Sequence, residues 1–227
     1  MPLQNRVTPT GAIIATSARG LFMGNRGRIH TEEQKLGTKR WAHPSWVICR
    51  LDFRGRRRAL MAPNSYTELF FLDESTALAA GHRPCGECRR PEFNCFRDLW
   101  LKVNGERLGN KLKSIARIDR FMHAERVNRQ REQITWRAPL DALPYGAMVR
   151  LAEEDSSWLL WARRLLRWTV YGYTESRPIV PATVEVLTPR SVVNVLTAGY
   201  QPVVHQSAEL GRASVMHSSN AGNSVRH

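Results

Sequence analysis

Apolar positions along this chain change their period several times. From Trp46 to Phe53 the residues Trp-Val-Ile-Cys-Arg-Leu-Asp-Phe begin to alternate, Arg54 to Arg58 carry a turn at Gly55, and Ala59 to Met61 lead back, a pattern that predicts a β-hairpin. Thr67 to Leu72 adds a short β-rich run. Asp73 then reads as the N-cap of a helix through Ala77, Leu78, Ala79 and Ala80, because its carboxylate can accept from the first free backbone N–H groups, and Gly81 reads as the stop. Beyond it, Pro91 sits where a first helical turn tolerates proline, and Phe93, Phe96, Leu99, Trp100 and Val103 recur at spacings of three and four. That spacing predicts a second, amphipathic helix. Ile118 to Arg131 has helical character as well.

From about Ile134 the pattern turns to β. Leu140 to Val149 contains Pro144 and Gly146, and Ala182 to Leu187 alternates. The piece Trp158 to Trp168 fits a helical stripe about as well as two short strands; Tyr171-Gly172-Tyr173, Pro178 and Pro181 punctuate the segment beyond it and favour strands. The resulting class is α+β, with a small hairpin-and-helix module followed by a β-rich C-terminal subdomain. The expected division is a basic irregular arm over 1–40, the module over 41–103, a basic helical connection over 104–133, the β-rich subdomain over 134–206 and a disordered Ser/Ala/Gly/Asn tail over 207–227.

Charge narrows the choice of partner. The 227 residues hold 34 Lys and Arg against 20 Asp and Glu, a net charge of +14 with a pI near 10.6. Such a surface attracts polyanions, nucleic acid first among them. No apolar run approaches the roughly 20 residues that a membrane-spanning helix requires. The apolar patch at Ala12 to Ala15 is too short for a secretory signal, so a cytoplasmic location and no membrane partner are expected. Four cysteines are too few for a secreted disulfide scaffold, and in a reducing compartment a close pair points to metal binding or catalysis.

That pair lies in Gly81-His82-Arg83-Pro84-Cys85-Gly86-Glu87-Cys88-Arg89-Arg90. Two cysteines separated by two residues can turn both thiolates toward one ion, the first half of a tetrahedral zinc site. Cationic neighbours and the N–H groups of the next helix favour thiolate over thiol. A redox reading would need a thioredoxin-like strand before the pair, and here an alanine-rich helix precedes it. The third ligand is expected to be Cys49, in the hairpin, with Ile48 and Leu51 closing the site. His82 is taken as the fourth, with His43 and Cys95 as alternatives.

The run from Ser75 to Arg89, a helix ending in Ala-Ala-Gly that leads into Arg-Pro-Cys and a second cysteine, resembles the second half of the Ada-type metal-binding domain. That domain is the zinc module of bacterial DNA methylphosphotriester repair proteins. Trp46-Val47-Ile48-Cys49-Arg50 resembles its upstream segment, and the likeness covers about residues 46–96. It implies a zinc module suited to DNA, with Cys49 in the place of the family's methyl-accepting thiolate. The family's first pair is two cysteines separated by three residues; Phe53 occupies the second of these positions here, so one thiolate is missing. Neither a helix-turn-helix nor a second alkyltransferase segment with a Pro-Cys-His-Arg run is visible. The resemblance therefore implies a zinc module suited to DNA and does not imply repair.

Basic residues cluster in two places. Between Lys39 and Arg58, seven (Lys39, Arg40, Arg50, Arg54, Arg56, Arg57, Arg58) face one acidic residue, Asp52; from Lys102 to Arg137, ten stand against Glu106, Asp119, Glu125 and Glu132. Arg50, Arg54, Arg56, Arg57, Arg58, Arg83, Arg89 and Arg90 are the expected nucleic-acid contacts, with Trp41, Trp46 and Tyr66 placed to stack on bases. On a helix, Asp119 and His123 share a face at i and i+4, and with Glu125 they are the candidate catalytic residues of a nuclease centre. The sequence thus supports a zinc-binding, nucleic-acid-binding protein. The alternatives are an enzyme acting on nucleic acid, either that nuclease or a methyl acceptor at Cys49, and a zinc-stabilised protein-interaction domain.

Overall fold

The computed structural model describes residues 1–55, 59–109, 113–152 and 154–209. Its first sheet is built from six short strands: β1 (Gln4–Val7), β2 (Ile13–Ala15), β3 (Phe22–Asn25), β4 (Val47–Cys49), β5 (Leu69–Phe71) and β6 (Arg83–Pro84). Their spatial order is β2-β1-β5-β3-β4-β6. β1 runs parallel to β5 and β4 parallel to β6; the other neighbours are antiparallel.

Three of these strands lie in the segment 1–40, which is therefore part of the sheet and not an irregular arm. The strands are only three or four residues long, too short for alternation to stand out, and their inward positions include Asn5 and Gly24 beside Val7 and Phe22. Gly24 is required where it stands: a Cβ there would lie 2.0 Å from the carbonyl oxygen of Val47 on the neighbouring strand. Among the described residues, the expected hairpin over 46–61 does not form. Both edges of β4 are taken, one by β3 and the other by β6, so the chain after Cys49 has no free edge to return along. Leu51, expected to close the cysteine site, is 54% exposed.

The helix α1 (Glu74–Ala79) begins where the sequence predicts it. Asp73 Oδ1 accepts from the Thr76 backbone N–H at 2.9 Å and from the Thr76 hydroxyl at 2.8 Å, and Gly81 ends the turn at φ +81°. All six residues of α1 are buried. The helix α2 (Arg90–Asn104) carries Pro91 in its first turn and buries Phe93, Phe96 and Trp100 on one face. Each such side chain contributes roughly 1.5–3 kcal/mol on burial. The helix α3 (Ile115–Arg126) follows, burying Ile118 and Met122.

The second sheet has the order β11-β10-β9-β8-β12-β7, formed by β7 (Trp136–Pro139), β8 (Met148–Arg150), β9 (Ser157–Trp161), β10 (Arg164–Thr169), β11 (Gly172–Pro178) and β12 (Thr183–Val186). Trp158 to Trp168 is thus two antiparallel strands, joined by a two-residue turn in which Ala162 and Arg163 both have positive φ. The helix α4 (Arg190–Thr197) closes the fold. The molecule is α+β.

The two sheets share their interior. Val7, Ile48 and Phe71 of the first, Phe96 and Trp100 of α2, and Trp158, Val184 and Val186 of the second belong to one contiguous buried cluster. Residues 207–209, expected to open a disordered tail, belong to a short 3-10 turn at Gln206–Glu209 in which Ala208 is buried and Ser207 Oγ accepts from the Tyr173 N–H at 2.8 Å. Residues 210–227 of that expected tail lie outside the described residues, as do Arg56, Arg57 and Arg58.

Candidate metal centre

Two parallel strands bring the cysteines together. The Arg83 N–H donates to the Trp46 carbonyl at 3.2 Å and the Cys85 N–H to the Ile48 carbonyl at 2.9 Å, so the chain leaving β6 runs beside the end of β4 and sets Cys85 next to Cys49. From Cys85 the chain turns at once: the Arg89 N–H donates to the Cys85 carbonyl at 3.2 Å, and α2 begins. The turn swings Cys88 back toward the other two thiols. The sulfurs of Cys49, Cys85 and Cys88 all lie within 4.8 Å of one another. In a tetrahedral site with Zn–S near 2.3 Å, neighbouring sulfurs sit about 3.8 Å apart, so one ion fits within the group.

The backbone supports negative charge on these sulfurs. The Glu87 N–H points at Cys85 Sγ from 3.4 Å, the Cys88 N–H also serves Cys85, and the Arg50 N–H serves Cys88. The three thiols divide unequally. Cys85 is held far below the usual thiol range by hydrogen bonds from Cys49 and then Cys88. Cys49 is pushed up by its hydrogen bonds to Cys85 and Cys88 and by burial. At Cys88 the strongest influence, Cys49, pulls down, but Cys85 and burial prevail and the net direction is upward. A cation that displaces the thiol protons meets three soft sulfur ligands here.

Among the described residues, no His, Asp or Glu atom joins this group within the same limit. His82, the expected fourth ligand, is fully buried elsewhere: its ring packs against Trp46 at 5.1 Å and Phe71 at 4.7 Å, and its Nε2 accepts from Arg26 Nε at 3.3 Å. At Gly81-His82, ahead of β6, the ring is turned into the core between Trp46, Phe71 and Arg26. Cys95 is exposed on α2, and His43 is exposed beside Gly27.

Two expected nucleic-acid contacts have structural duties instead. Arg83 binds Asp119 through Nε and Nη2 at 2.6 and 2.7 Å, and Arg89 binds Glu74 through both terminal nitrogens at 2.8 and 3.0 Å, all four side chains being buried. These pairs clamp the two ends of the cysteine turn, Arg83 to α3 and Arg89 to α1. Arg50, Arg54 and Arg90 are exposed. Trp46 is buried, and Trp41 and Tyr66 are half-buried.

The expected nuclease set is dispersed among partners. Asp119 belongs to Arg83; His123 Nδ1 accepts from Arg126 Nε at 3.2 Å; and Glu125 accepts from the Ser191 N–H at 3.0 Å. The i, i+4 spacing on α3 is real, but the three side chains have separate partners: Asp119 faces β6, His123 pairs within α3 and Glu125 faces α4. What sequence reasoning missed is a second polar centre around Trp46, where Arg26 and Arg126 both stack on the indole. These residues are separated by 20 and 80 positions from Trp46, and only the periodic position of Arg126 on a helix hinted at an inward direction. Comparison of the chain with protein-family models, with curated proteins and with solved structures finds no match.

Proposed function

We propose that Cys49, Cys85 and Cys88 hold a zinc ion, and that the protein binds nucleic acid through its phosphate backbone, using the basic surface around that ion. The observation that carries the reading is the convergence of three sulfurs, from the end of β4, the residue after β6 and the turn that follows, supplied with backbone N–H donors. Thiolate softness and tetrahedral spacing favour zinc over the hard divalent cations. With Phe53 where the Ada-type domain has its further cysteine, the fourth position falls to solvent or an added ligand. The ion's role is to tie β4 to the turn after β6. Support for a polyanionic partner comes from the net charge of +14 and from exposed Arg50, Arg54 and Arg90, which follow or flank the cysteines in the chain, with Arg56, Arg57 and Arg58 next in sequence. The reading is non-catalytic, since Asp119, His123 and Glu125 are engaged with separate partners.

Metal analysis of purified protein tests the first half: about one zinc per chain is expected, lost in Cys85→Ser and Cys88→Ser and kept in Cys95→Ser. Fluorescence anisotropy with labelled DNA and RNA across a salt series tests the second. Affinity that falls steeply with salt supports the reading. Zinc at full occupancy with no salt-sensitive binding removes nucleic acid and points to a protein partner.

A further inference from the structure

A cavity of about 340 Å³ opens between the turn after β1, the loop before β4 and the loop after α3, and Arg26, Arg126, Arg40, Arg131, Trp41 and Trp46 line it. Its floor is electrostatically unbalanced. Arg26 and Arg126 are each 3% exposed, and their guanidinium carbons lie 4.0 and 3.7 Å from the centre of the Trp46 ring. Neither forms an ion pair among the described residues. The carboxylate acting on Arg126 is Asp119, already held at both oxygens by Arg83. The neighbouring His82 and His123 accept hydrogen bonds from these arginines and so face them as neutral imidazoles. Burying a cation without a counter-ion is costly, and folded proteins rarely keep such a charge where an apolar side chain would fit.

The hydrogen-bond count points the same way. A guanidinium has five N–H groups. Arg126 directs its nitrogens to the Gly81 carbonyl, the Pro44 carbonyl and His123 Nδ1. Arg26 donates from Nε to His82 and from Nη1 to the Gly11 carbonyl at 3.2 Å, and its Nη2 is buried with no partner. That nitrogen sits beside Gly11, itself a wall of the cavity, where a Cβ would come within 3.7 Å of it. At the rim, exposed Arg40 and Arg131 face a single acidic residue, Glu132. Arg131 also ties the rim loops together by donating to the Thr38 carbonyl at 2.9 Å. Trp41, half-buried, presents a planar wall next to Trp46 and His123.

We propose that this cavity binds a phosphate monoester attached to a planar ring, a single nucleotide unit, with its phosphate over Arg26 and Arg126 and its base against Trp41. The volume suits a ligand of that size, since small-molecule sites begin at roughly 300 Å³. Four arginines against one carboxylate match a dianion better than a single carboxylate group does. The assignment is separate from the metal reading and goes beyond binding along a backbone: it needs one terminal phosphate and one base. Two sources share this chemistry, a free nucleoside monophosphate and the 5′-phosphorylated end of a strand.

The test is calorimetric titration of the full chain with adenosine 5′-monophosphate, adenosine, inorganic phosphate, and a short oligonucleotide with and without a 5′-phosphate. The monophosphate is expected to bind at least tenfold more tightly than adenosine. Arg26→Met is expected to weaken the monophosphate more than tenfold while leaving the unliganded protein as heat-stable as the wild type or more so, because it removes an unpaired buried charge. A merely structural arginine would give the opposite stability result. Trp41→Ala, at a half-buried position, is expected to weaken the monophosphate about five- to 150-fold, the range for loss of one base stack. A 5′-phosphorylated strand that binds more tightly than both the monophosphate and its unphosphorylated copy identifies a strand end; equal or weaker binding of the strand identifies a free nucleotide. No binding of the monophosphate at millimolar concentration, or binding unchanged in both variants, overturns the assignment, and neither result bears on zinc content.

Discussion

Arg89 and Glu74 meet as a buried, two-bonded ion pair, Nη1 to Oε1 at 2.8 Å and Nη2 to Oε2 at 3.0 Å, that fastens the exit of the cysteine turn to the first residue of α1. The same carboxylate accepts from the Tyr200 hydroxyl at 2.7 Å and the Val203 N–H at 3.0 Å, so it also holds the segment after α4. Glu74→Ala leaves the buried guanidinium with only Glu92, 3.6 Å from its Nε, and strands two further donors. It is expected to lower the unfolding free energy by about 3–5 kcal/mol, read from urea denaturation. Glu74→Leu combined with Arg89→Met is expected to cost less than either charge-stranding change alone; an additive double variant would refute the pairing.

The exposed arginines of the proposed binding surface and the buried clamp residues separate experimentally. Arg50→Ala and Arg90→Ala remove exposed charges, and each is expected to reduce the salt dependence of nucleic-acid affinity by about one phosphate contact. Arg83→Met strands the buried carboxylate of Asp119 and is expected to lower the melting temperature while leaving that slope in place. A slope that changes only in Arg83→Met would reverse the roles given to these residues.

Acid sensitivity has a definite sign. Burial, and then Arg126, holds His123 at about 4, and burial with Arg26 and Arg126 holds His82 well below its ordinary value. In the unfolded chain an imidazole titrates at about 6.5. Below that value the unfolded state takes up protons that the folded state refuses, so this contribution is whole above about pH 6.5 and is lost as the pH falls toward the folded values. Asp73 acts in the opposite sense, because burial raises its carboxyl and the unfolded state releases its proton first. The clean measurement is therefore the difference between wild type and His123→Gln. The stability of the wild type relative to the variant is expected to fall from pH 7 to pH 4, and parallel curves would contradict the assignment.

The turn between β9 and β10 offers a stabilising change. Ala162 and Arg163 sit at φ +46° and +61°, the pair of left-handed conformations that a two-residue hairpin turn uses and that Asn-Gly adopts with least strain. Replacing them by Asn-Gly is expected to raise the unfolding free energy by about 0.5–1 kcal/mol, seen as a higher thermal midpoint with unchanged metal content.

What the chain determined by itself is what depends on neighbours a few residues apart. Asp73 capping Thr76, the stripe of Phe93, Phe96 and Trp100, and the spacing of Cys85 and Cys88 are all settled within one or two turns of backbone, so they were legible as letters. The three-residue strand at Cys49 was legible, but its partners were not: β3 and β6 enclose it, and strand pairing is chosen by which apolar faces meet across the whole fold. That choice brought Cys49 to the other two thiols, turned His82 into the core, and sank Arg83 and Arg89 into ion pairs with Asp119 and Glu74. An arginine in a sequence looks alike whether it faces water or a buried carboxylate. Tertiary structure alone decides, because the partner that offsets the cost of burial arrives from 15 or 36 residues away.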